Sequence, residues 1–138
     1  MFYIIHGLLQ ATAFLILYPL GALVALFRDR IGEHWRPLHI SLQLFATFLV
    51  FVAVGIVKLA ETKKEKEKEA KTGWRKAHTI LGPMVVSIII LQLLWAFLGR
   101  RMMTDWVLWY RIHMVLSALI ILGGVTNVAI AIRMNRTT

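Results

Sequence analysis

Cysteine is absent from this 138-residue chain. That excludes disulfides, zinc–thiolate sites, iron–sulfur clusters and covalent haem attachment through a C-x-x-C-H sequence. Acidic residues are scarce too, seven against sixteen Lys and Arg. Charge of either sign is missing altogether from residues 1–27, Pro37–Val57, Ala77–Gly99 and Ile112–Ile132. Each of these stretches reaches the ~20 residues with which an α-helix crosses a hydrocarbon core about 30 Å thick. Short alternating segments of about ten residues, the mark of a transmembrane β-barrel, do not occur. The first stretch has no basic n-region and far exceeds the h-region of about 7 to 15 residues in a signal peptide, so it reads as a retained span.

What is present fits a lipid solvent. Hydrophobic residues make up 59% of the chain and its mean hydropathy is +0.70, where a soluble domain would have roughly half its residues apolar. The net charge of +9 sits almost entirely between the apolar stretches, which suits membrane flanks and lipid headgroups and gives no reason to expect nucleic acid. The expectation is an all-α, multi-pass integral membrane protein with a single domain spanning residues 1–138. Its helices are expected at about Phe2–Phe27, Pro37–Ala60, Trp74–Leu98 and Thr104–Arg133, with a turn through Gly99-Arg100-Arg101. Short connections favour an antiparallel up-down-up-down four-helix bundle. The mixed-charge run from Glu61 to Lys71 reads as a solvated spacer. Trp35, Trp106, Trp109 and Tyr110 at one boundary, and Phe2, Tyr3 and Trp74 at the other, read as aromatic belts. A small bundle of this kind leaves room for a homodimer.

Each expected helix carries one histidine near its start: His6, His39, His78 and His113. In an up-down bundle alternate helices start on the same side, so His6 and His78 share one depth while His39 and His113 share the other. Ionisable groups inside a span are costly and face a partner in the bundle interior. Two pairs at two depths suit two haem b groups, His6/His78 and His39/His113, with neutral imidazoles as axial metal ligands. With both axial positions filled, the chemistry would be electron transfer between irons roughly 20 Å apart along the normal, one near each membrane face.

Neighbouring residues extend the site. Gly7, Gly82 and Ser117 lie beside a histidine or one turn beyond it and would let a macrocycle approach the backbone. Arg36, Arg75 with Lys76, and Arg111 precede histidines by two or three residues, within reach of haem propionates. Gln92 and Asn127 each lie fourteen residues after a histidine, about 21 Å further along the same face, and would hydrogen-bond around the opposite haem or bridge helices. Gly21 and Gly55 would give room at the far layers. Gln10 and Gln43, four residues after His6 and His39, would orient an imidazole or pack on a neighbouring helix. His34, in a charged connection, reads as a surface residue.

These residues resemble the four-helix core of the cytochrome b561 family, especially the branch associated with DOMON domains and ferric-reductase-like proteins, over nearly the whole chain. The likeness is carried by His6-Gly7 with Pro19-Leu20-Gly21-Ala22 and by Trp35-Arg36-Pro37-Leu38-His39 with Gln43. It continues in Ala77-His78-Thr79-Ile80-Leu81-Gly82 with Gln92 and Gly99, and in Trp109-Tyr110-Arg111-Ile112-His113. Ser117 stands where that family would carry glycine. The resemblance implies ligand pairs from the first with the third helix and the second with the fourth. It also implies an oxidoreductase activity of the ascorbate- or ferric-reductase type, with ascorbate, a ferric chelate or a redox protein as donor or acceptor. One histidine per helix separates the chain from respiratory cytochrome b, which carries two on each of two helices. Two other readings share these features: a haem-bearing membrane anchor subunit relaying electrons to quinone in a larger complex, and a haem-free tetraspan scaffold or transporter with a histidine proton path.

Overall fold

The computed structural model describes residues 1–62 and 73–136, nearly all of them helical. Four helices are long and apolar enough to cross a membrane. Helix α1 covers Phe2–Leu26. Two short helical turns, Arg28–Ile31 and Gly32–His34, lead to α2, Trp35–Thr62. Helix α3 covers Gly73–Met102 and α4 covers Trp106–Arg136. Most of the charged run expected as a spacer lies outside the described residues.

Local chemistry explains the boundaries. Helix α2 starts at Trp35, ahead of the expected Pro37, because a proline in the first turn gives up an N–H that has no partner inside the helix anyway. Gly32 ends the preceding turn at φ 73°, in the region that glycine enters at no steric cost. The third helix does not stop at Gly99. It continues to Met102, and the chain breaks at Met103 with φ −97° and ψ 131°. Asp105 then caps α4, its carboxylate accepting from the Leu108 N–H at 3.0 Å.

Among the described residues two π-helical turns interrupt the long helices, at Thr12–Leu17 in α1 and Trp95–Gly99 in α3. The first lies just ahead of Pro19, which has no N–H for the Leu15 carbonyl and whose ring crowds it, and a widened turn relieves both. Helix α3 passes Pro83 as an α-helix.

Helix α1 packs along α2, α3 along α4, and α1 also crosses α4. The buried core lies midway along the helices: Ala13, Phe14 and Tyr18 from α1, Ala46 and Val50 from α2, Val85 and Ile89 from α3, and Ile120 from α4. Close crossings rest on glycine. A Cβ on Gly124 would run into the Phe14 ring, and one on Gly123 would lie 2.8 Å from Val85. Outward faces carry large exposed apolar side chains, as at Leu8 (64%), Phe48 (60%) and Leu122 (66%).

Candidate paired-histidine sites

The histidines of the four long helices meet in two pairs. The ring centroids of His6 and His78 are 6.2 Å apart, and those of His39 and His113 are 6.3 Å apart. Two imidazoles sharing one metal, each with a metal–nitrogen bond of about 2 Å and a ring centroid about 1 Å behind the nitrogen, stand about 6 Å apart. All four rings are half-buried. His34 is exposed in its turn, 3.8 Å from Glu33.

Every one of these rings is seated through Nδ1 on a neighbouring helix. His6 donates to the Ala53 carbonyl at 3.0 Å, His39 to the Gly21 carbonyl at 2.7 Å and His78 to the Asn127 carbonyl at 3.3 Å. A carbonyl can only accept, so Nδ1 carries the proton at these three and Nε2 keeps the lone pair that a metal requires. His113 Nδ1 lies 2.9 Å from the Gln92 amide nitrogen, which also donates to the His113 carbonyl at 3.2 Å and to Ser117 Oγ at 2.8 Å. Ser117 in turn donates to the His113 carbonyl at 2.8 Å.

A single spacing generates these seats. Ala53, Gln92 and Asn127 each follow the histidine of their own helix by fourteen residues, four α-helical turns. Gly21 follows His6 by fifteen, and the π turn between them absorbs the extra residue. Each helix thus bears a histidine near one end and, four turns on, the seat for its neighbour's histidine. The carbonyl seats Ala53 and Gly21 carry no chemical signature in sequence, although the fourteen-residue spacing noted at Gln92 and Asn127 leads from His39 straight to Ala53. Gly55 takes no such part, with open space around it.

The remaining residues divide. Gly82 faces the Asn127 amide, whose nitrogen is 3.4 Å from where a Cβ would stand, whereas Gly7 is exposed in open space. Arg36, Arg75 and Arg111 are exposed near the helix starts. Gln43 packs on α1, donating to the Tyr18 carbonyl at 3.3 Å. Tyr18 and Thr47 join through their hydroxyls at 2.9 Å, and with His39, Gln43, Gln92, His113 and Ser117 they line an otherwise apolar cleft between α2, α3 and α4.

Among the described residues three buried amide oxygens have no partner: Gln10 Oε1, Gln92 Oε1 and Asn127 Oδ1. Each costs about 1 to 3 kcal/mol if left so, and all three belong to residues of the histidine layers. Among the described residues no three His, Cys, Asp or Glu side chains converge. A haem brings four nitrogens of its own and needs only two axial donors, which the residues present can supply. No family model, curated protein or solved structure matches the chain.

Proposed function

We propose that the chain is an antiparallel up-down-up-down transmembrane bundle that carries electrons across a membrane through two bis-histidine b-type haems, one near each face. The observation that carries this reading is the pair of imidazole spacings, 6.2 and 6.3 Å, together with carbonyl seats that leave Nε2 of His6, His39 and His78 for iron. The antiparallel order is supported by residues early in one helix meeting residues late in the next: His6 with Ala53, His39 with Gly21, His78 with Asn127. The membrane is supported by four long apolar helices whose windows are at most 28% buried.

Haem, when bound, would supply a one-electron iron couple. The chain's own residues do the rest. His6 with His78, and His39 with His113, clamp from diagonally opposed helices. The carbonyls of Ala53, Gly21 and Asn127 hold the rings and tautomers of His6, His39 and His78, and the amide of Gln92 holds the ring of His113. Arg36, Arg75 and Arg111 provide cations near the helix starts for propionates. Phe14, Tyr18, Val50 and Ile89 form a buried layer between the two pairs. Membership of the cytochrome b561 family, and with it reduction by ascorbate or delivery to a ferric chelate, is proposed on the motifs alone.

The deciding experiment is haem stoichiometry with a reduced-minus-oxidised spectrum on protein purified from haem-supplied cells. Two low-spin b haems per chain are expected. A colourless, folded protein would end the proposal in favour of a haem-free scaffold.

A further inference from the structure

Trp109 stacks on His113, ring centroids 5.2 Å apart and planes within 11° of parallel. Its own position is fixed several times over. Its indole Nε1 donates to the Trp95 carbonyl at 3.1 Å, Trp95 Nε1 donates back to the Trp109 carbonyl at 3.1 Å, and Trp106 stacks on it in turn at 4.9 Å and 16°. The π turn Trp95–Gly99 makes room for this lock: a Cβ on Gly99 would stand 3.1 Å from Trp95 and 3.5 Å from Trp109. Anchoring an indole at a membrane boundary requires neither coplanarity with an imidazole nor reciprocal bonds. Trp35, which also precedes its histidine by four residues, sits 6.4 Å from His39 and is tilted 49°.

We propose that Trp109 is a positioning residue that sets the rotation of the His113 imidazole about its bond to iron, an inference that rests on the haem reading above. Twisting the imidazole would drive its edge into the locked indole, while Gln92 holds Nδ1 from the other helix. The His39 and His113 planes are thereby kept 63° apart. In a low-spin ferric centre the angle between axial imidazole planes sets the splitting of the iron d orbitals. The lowest-field line of the electron paramagnetic resonance spectrum reports that splitting.

The test records this spectrum on haem-loaded wild type, Trp109→Phe, Trp109→Leu and Trp109→Met, with His39→Ala identifying which line belongs to the His39/His113 pair. Trp109→Phe keeps a flat ring over His113 and should leave that line in place. The Leu and Met variants should move it by more than its own width, or lose that haem alone, with the His6/His78 line unchanged. A line that stays put in Leu and Met, or that moves equally in Phe, overturns the inference. So does loss of both haems from both unstacked variants, since Trp109 would then serve the fold. Wild type without haem would instead sink the function, which keeps the two failures apart.

Discussion

At the scale of single residues, the histidine seats are unequal. Three are backbone carbonyls that no substitution removes, whereas the fourth is a side chain, Gln92. Replacing Gln92 by Leu should therefore strip His113 of its Nδ1 contact and weaken haem retention at that pair by about 10- to 100-fold, the usual cost of losing such a partner. Haem content after graded washing checks this. Loss of the His6/His78 haem to the same degree would contradict it. Replacing His39 or His113 by Ala should halve the haem content and leave the His6/His78 spectrum in place, because the core between the pairs is built from apolar residues independent of either ligand. The histidines and Gln92 are visible in sequence because polar groups stand out in apolar spans. The Ala53 and Gly21 carbonyls are not, since every residue has one.

At the scale of elements, charge-free stretches mark the four helices directly, and their ends shift where a local signal has a second meaning. Gly99 suggests a turn but accommodates the packing of Trp95, and Asp105 supplies the cap that begins α4. The π turn Thr12–Leu17 leaves no pattern that hydrophobic periodicity could reveal, yet it sets the seat register in α1. Deleting Ile16 from it should convert the segment to a regular α-helix and bring Gly21 to the fourteen-residue spacing, so both haems should stay. Deleting Phe48 from α2, where no such turn exists, should rotate everything beyond it by about 100° and cost haem at both layers. Both deleted side chains are outward-facing, at 57% and 60% exposure, so lost packing does not confuse the comparison. Equal tolerance of the two deletions would show that the spacing is unimportant.

At the scale of the whole molecule, the α1/α4 crossing holds one hairpin to the other. Gly124→Ala should press on the Phe14 ring, destabilise the bundle by about 1 to 3 kcal/mol and lower the midpoint of thermal unfolding followed by haem release. An unaltered midpoint for Gly124→Ala would mean that the crossing relaxes freely. How the helix pairs join is the least legible level in the sequence, because Gly124 looks like any other glycine until Phe14 is set against it.

The reciprocal seats restrict how this protein can move. Within each hairpin the two helices are pinned near both ends, so neither can slide or roll past its partner without unseating two imidazoles together. Breathing is confined to shear of one hairpin over the other, widest along the seam where α2 faces α3 and α4. Each histidine pair straddles that boundary, so whatever bridges the pairs acts as a rivet between two otherwise rigid leaves.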